Sequence, residues 1–137
     1  MSLAVATASA LAAAVAQMAP GAPIEGRWIN PAKSVIIAIA PCGDAQCGTV
    51  EWASAEAQAD ARKGTENLIG TALLTDLKPK GPDQWQGKLF IPDRKMRVTA
   101  KIRHDGEGRL KVTGCAIGGL ICDSQIWSLS DGAPATE

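Results

Sequence analysis

The segment from Met96 to Thr113 leaves little freedom in how it folds. Met96, Val98, Ala100 and Ile102 alternate with Arg97, Thr99, Lys101 and Arg103, and Leu110 and Val112 then alternate with Arg109, Lys111 and Thr113. A period of two is that of a strand with one dry and one wet face. Between the two runs, His104-Asp105-Gly106-Glu107-Gly108 offers glycines for the positive φ that hairpin turns demand. The segment is therefore an antiparallel hairpin.

Similar runs recur along the chain. Strands are expected at about 25–30, 34–40, 47–53, 68–75, 84–90, 95–103, 109–115 and 124–129. Pro41 with Gly43, Lys78-Pro79-Lys80-Gly81-Pro82 and Ile91-Pro92-Asp93 punctuate the connections, so prolines fall between runs and not inside them. Eight short strands spaced by about ten residues predict an all-β, eight-stranded antiparallel up-and-down barrel. A two-sheet sandwich is the competing arrangement. One connection is long: Ser54 to Asn67, whose core from Ala55 to Lys63 is made of helix formers without an apolar stripe beyond alanine. It reads as a flexible arm or a single short helix.

Residues 1–23 read as a signal-peptide-like segment and linker, 24–130 as the barrel domain and 131–137 as a tail. The alanine-rich run of residues 1–17 meets Ala14-Val15-Ala16, an A-x-A-like cleavage site, although no Lys or Arg precedes Arg27. An ordered alanine-rich helix is the alternative there. No other segment approaches the ~18 apolar residues of a membrane span, so the mature chain is expected not to be transmembrane. A chain of 137 residues holds one domain. Its formal net charge of zero gives no overall pull on nucleic acid.

The four cysteines form two close pairs, C-x4-C at Cys42/Cys47 and C-x6-C at Cys115/Cys122. In an exported protein these are disulfides, and local pairing is the choice among three connectivities. A four-thiolate zinc site lacks its usual two-residue spacing. On an up-and-down barrel the pairs also sit at opposite ends, so no metal or other cofactor is expected. The same bookkeeping sends Trp28, Trp85 and Trp127 towards one end, as barrel-floor core, and Trp52 to the other.

Gly26-Arg27-Trp28, Pro41-Cys42 with Cys47-Gly48, Asn67-Leu68-Ile69-Gly70, Trp85-Gln86-Gly87, Ile91-Pro92-Asp93, Gly114-Cys115 and Gln125-Ile126-Trp127 together resemble the motif series of "domain of unknown function 2147". The resemblance covers about Gly26 to Trp127, and the order and spacing of the motifs carry it. It implies a small exported bacterial protein with a lipocalin-like (calycin-type) barrel, located in the periplasm. It brings no assigned activity and no functional residues. The chain departs from the family at Met96, where an aromatic is usual nearby, and at Ser128-Leu129, where an arginine usually follows the last tryptophan.

The end opposite the Cys42–Cys47 turn carries Asn30–Lys33, Ser54–Asn67, Ile91–Arg94 and Cys115–Cys122, and so the longest loop of the chain. Any ligand site is expected at that mouth, with Trp52, Asn67, Gly118 and Gly119 as candidates. Leu73, Leu89, Val98 and Val112 would surround an open interior. No catalytic residues are assigned. His104 is the only histidine and reads as a solvated turn residue, H-E-x-x-H, P-loop and G-x-S-x-G motifs are absent, and the spacing singles out none of Glu51, Glu56, Asp60 or Glu66.

Between Lys88 and Lys111 eight basic residues face three acids, and Arg97, Lys101, Arg103, Arg109 and Lys111 alternate outward. That stripe is a solvated face or an anion surface for lipid headgroups or an acidic envelope protein. Nucleic acid is not expected, because no aromatics interleave the charges. The leading function is non-catalytic periplasmic binding of a small apolar or amphipathic molecule. A filled barrel acting as an envelope interaction module competes with it, and an uncharacterised hydrolase comes third.

Overall fold

The computed structural model describes residues 24–130. The segments expected to be a signal-peptide-like stretch with its linker (1–23) and a tail (131–137) lie outside the described residues. Within them the alternation closes on itself. The strands are β1 (Gly26–Ile29), β2 (Val35–Cys42), β3 (Ala45–Ala53), β4 (Ala72–Gly81), β5 (Gln84–Ile91), β6 (Met96–His104), β7 (Arg109–Ala116) and β8 (Ile121–Leu129). Each pairs antiparallel with its sequence neighbours, and β8 returns to β1 through Trp28↔Leu129 and Ile29↔Ser128. A closed eight-stranded barrel results, with the β1–β8 seam the shortest of its ladders.

One end, the floor, carries the tight β2–β3, β4–β5 and β6–β7 turns. Trp28, Ile39, Leu77, Trp85, Ile102 and Leu110 are all buried in the core behind it. The other end, the mouth, carries the longer connections. There Ser54 caps the α-helix α1 (Ala55–Ala61), its Oγ accepting from the Ala57 amide at 3.1 Å. Ala57 and Ala61, with Leu68 beyond, pack on the core. The connection thus folds down over one side of the mouth. A Cβ on Gly64 would lie 2.1 Å from the Pro92 carbonyl oxygen, so the arm meets the β5–β6 connection backbone to backbone.

Three strands differ from their sequence pattern. Leu68 to Gly70, expected to begin the fourth strand, is a turn with Gly70 at φ +96°, and β4 runs on to Gly81. Pro41 and Pro79 lie inside β2 and β4, opposite Gln46 and Trp85. Both stand close to hairpin ends, and Pro79 sits beside a register shift, where a missing N–H is tolerated. β8 begins at Ile121, so Cys115 and Cys122 face each other across the last pairs of the β7–β8 ladder.

Both disulfides form locally, Cys42–Cys47 at the floor and Cys115–Cys122 at the mouth. Each closes a short loop, so the unfolded chain loses little entropy and each contributes about 2 kcal/mol. The double variant Cys42→Ala/Cys47→Ala should lower stability in urea by about that amount while leaving the mouth unaltered. Loss of mouth function in a folded double variant would contradict the separation of the two ends.

Candidate functional site

The upper barrel is not filled. A hollow of about 510 Å³ opens at the mouth, lined by Val35 from β2, Leu73 from β4, Leu89 and Ile91 from β5, Val112 and Gly114 from β7, and Trp127 from β8. Its polar residues gather at the rim: Asn30, Asp93, Arg94, Asp123, Ser124 and Gln125. The volume falls within the ~300–1,000 Å³ of small-molecule sites, and polar and apolar side chains share the lining about equally.

Local structure fixes its wall and rim. Gly114 faces inward where the other β7 positions of that phase carry Leu110 and Val112, and a Cβ there would approach Leu89 Cδ2 to 3.0 Å. Trp127 closes the inner limit, its Nε1 donating to Gln125 Oε1 at 3.0 Å. Asn30 fixes the β1–β2 corner: its Oδ1 accepts from the Ser34 and Val35 amides at 2.8 and 3.0 Å. Pro92-Asp93-Arg94 forms a single 3-10 turn that places Asp93 and Arg94 on the rim. The hollow therefore offers an apolar pocket with charge and hydrogen-bonding capacity at its opening.

Leu73, Leu89 and Val112 line it, while Val98 does not. Trp52 lies elsewhere. A register shift in β3 sets it opposite Ile36, between inward Val35 and Ile37, and it is absent from the lining. Asn67 is exposed in the turn before β4, its carbonyl accepting from Thr71 Oγ1 at 2.6 Å. Gly118 and Gly119 form the β7–β8 turn at φ +63° and +91°. These four do not converge on the hollow. Trp28, Trp85 and Trp127 all belong to the buried cluster. Sequence reasoning missed Asp93, Arg94, Asp123 and Gln125; the alternation of Asp123 and Gln125 in phase with Trp127 was the available signal.

The basic residues divide by partner. Lys101, Arg103 and Lys111 join Lys80, Gln84, Gln86 and Thr113 around a hollow of about 360 Å³ on the outer wall. Arg97 instead stacks over Phe90 at 4.7 Å. Arg109 is held by Asp105 at 2.8 Å and Glu107 at 3.6 Å. The Glu107 amide, followed by the Arg109 guanidinium, holds the Asp105 carboxyl below its ordinary range, and Asp105 in turn raises Arg109. These are exposed turn interactions at the floor.

His104 is also at the floor. It ends β6, its Nδ1 accepts from the Gly106 amide at 3.2 Å, and its ring meets Trp28 edge-on at 6.1 Å. With the sole histidine at the far end, the hollow has no Ser–His or Cys–His pair. Among the described residues no cluster of His, Cys, Asp and Glu could hold a metal ion.

A closed up-and-down antiparallel barrel of eight strands is a lipocalin-like fold. The chain belongs to the family described as "Uncharacterized protein conserved in bacteria (DUF2147)", whose profile matches residues 26–128. The fold is similar to that of a solved structure described as "Protein HP1028 from the human pathogen Helicobacter pylori belongs to the lipocalin family". The two share 15% identity at a TM-score of 0.61, over 79% of this chain and 84% of that one. No curated protein matches the sequence. The two disulfides fit an oxidising compartment, and no helix among the described residues is long and apolar enough to cross a membrane.

Proposed function

We propose that the barrel is a non-catalytic periplasmic protein that binds a small apolar or amphipathic molecule in the hollow at its mouth. The observation that carries this reading is the 510 Å³ space walled by Val35, Leu73, Leu89, Val112 and Trp127. At the ~30 Å³ a water-sized group occupies, it accommodates roughly fifteen non-hydrogen atoms. That is one short chain or a ring system, and not a whole phospholipid. The apolar part would lie against Val112 and Trp127, with a polar head at Arg94, Asp123 and Gln125. The disulfides and the bacterial family support the periplasm as the compartment.

The test is binding of the apolar fluorophore N-phenyl-1-naphthylamine. Val112→Phe extends an aromatic ring into the hollow and should weaken the dye roughly tenfold or more, about 1.4 kcal/mol, with little change in melting temperature. Lys101→Ala, on the outer wall, should bind like the native protein. Failure of the native barrel to bind the dye, or unchanged binding by folded Val112→Phe, overturns the reading. The second reading, an envelope interaction module, draws its support from Lys80, Lys101, Arg103 and Lys111 around one outer hollow. Its partner would be acidic, and Val112→Phe would not affect it.

A further inference from the structure

The tip of the β7–β8 hairpin is apolar and fully presented to solvent. Leu120, Ile117 and Ile121 are 82%, 66% and 60% exposed, the three most exposed large apolar side chains among the described residues. Backbone conformation makes the choice of residue more telling. Ile117 sits at φ +51°, ahead of Gly118 and Gly119 in the same left-handed region. A β-branched residue is disfavoured there, and glycine or asparagine would hold the turn at lower cost. Neither solvation nor local conformation explains an isoleucine at that position.

Two further features surround the tip. The Cys115–Cys122 disulfide clamps the hairpin just behind the turn, so the apolar residues are presented rigidly and lose little freedom on contact. Met96 joins Ile117 along a shallow outer hollow of about 380 Å³ that also contains Lys88 and Arg97. Arg94, from the β5–β6 connection, stands on the rim of the neighbouring mouth. This corner of the barrel therefore combines an apolar point with cations set back from it. Its acids are Asp93 and Asp123, which face the mouth. Across the mouth α1 carries Glu56 and Asp60, with Arg62 at its C-cap and Lys63 next to it, so that side has no net charge to add.

We infer that the Ile117–Ile121 tip is a membrane-docking wedge, inserting Ile117, Leu120 and Ile121 beneath the headgroups of an anionic bilayer. Lys88, Arg94 and Arg97 then lie at phosphate level, where long cationic side chains pair with lipid while their stems stay apolar. A few apolar side chains with a small cationic patch give reversible attachment and not anchoring. In this pose the mouth turns towards the bilayer, so a ligand could pass between lipid and barrel without crossing water. The docking does not depend on the barrel holding a ligand.

The experiment is co-sedimentation of the intact protein with phosphatidylethanolamine–phosphatidylglycerol vesicles and, in parallel, phosphatidylcholine vesicles. Binding should favour the anionic vesicles and weaken with salt. Leu120→Asp, with Ile117→Asp as a second variant, should reduce it roughly tenfold while dye binding in the mouth persists. Leu120→Trp should retain binding, and brominated lipid should quench the new indole. The inference is overturned if the native protein ignores anionic vesicles, or if Leu120→Asp binds them unchanged. It is equally overturned if the tip serves a second copy of the chain, seen as a concentration-dependent dimer that Leu120→Asp dissolves in the absence of vesicle binding.

Discussion

Replacing Trp28 by alanine should cost about 4 kcal/mol of folding free energy, read from urea titration, and lower the melting temperature by roughly 15–30 °C. Trp28 is 1% exposed at the centre of the floor. It lies opposite Ile37 on one side and Leu129 on the other, across the seam where β8 meets β1. Only two residue pairs hold that seam, so a cavity beside it removes packing where the ladder is shortest. The indole N–H also donates to the Ile24 carbonyl at 2.9 Å, and Ile24 is fully buried. Trp28→Phe keeps most of the ring but orphans that carbonyl, at a cost of about 1–3 kcal/mol. His104→Ala, which removes the edge-on ring, should cost about 1 kcal/mol. The ordering of the three separates packing from hydrogen bonding. A Trp28→Ala variant within about 1.5 kcal/mol of native would mean the floor is not closed by this residue.

How far the sequence could be read depended on whether a strand kept its phase. β6 and β7 alternate without interruption from Met96 to Thr113, and their pairs run in unbroken register from His104↔Leu110 to Thr99↔Cys115. Strand order followed from the hairpin-length connections, and closure from the number of strands. β4 did not yield to the same reading. Leu73, Leu74 and Leu77 fit no single period of two, because β4 carries extra residues against β3, between Ala72 and Leu74 and again between Leu74 and Leu77. Each extra residue resets which side chains face inward. In the sequence the apolar run therefore stops at Thr75, and Lys78-Pro79-Lys80 has the composition of a loop.

The mouth was harder to read for a related reason. Its lining draws on β2, β4, β5, β7 and β8 at once, and which residues of those strands meet depends on a register that no motif shows. Trp52 was placed at the mouth by strand direction alone. The register shift between Ile36 and Ile37 decides its actual position, and only three-dimensional pairing reveals that shift. The β7–β8 tip was hidden because the eighth strand was expected to begin at 124. A Cys115–Cys122 loop outside any strand gives Ile117 and Leu120 no position on the barrel, whereas the paired strands carry both to its tip.

Gly87→Val should cost about 3 kcal/mol, although valine is the better strand former. Gly87 pairs with Ala100 in β6, so on that side it is an ordinary strand residue. On the other side β4 sets Asp76 and Leu77 against this one position, between the pairs Thr75↔Lys88 and Lys78↔Gln86. Asp76 adopts φ +54°. The bulged backbone then lies over Gly87: a Cβ there would stand 2.3 Å from the Thr75 carbonyl oxygen and 2.8 Å from the Asp76 carbonyl carbon. Those atoms belong to the main chain, so no rotamer change relieves the contact. Relief requires flattening the bulge, which turns Leu77, fully buried in the native barrel, out of phase with the core. Hydrogen exchange should accelerate first at Leu77 and Lys78, and dye binding should weaken because Leu73 lies on the same strand. Gly43→Ala supplies the contrast, since a Cβ at Gly43 meets nothing within 4 Å and only its φ of +72° opposes the change. That variant should cost about 1 kcal/mol. If Gly87→Val were no worse than Gly43→Ala, β4 would not carry the bulge, and the inward placement of Leu77 would need another cause.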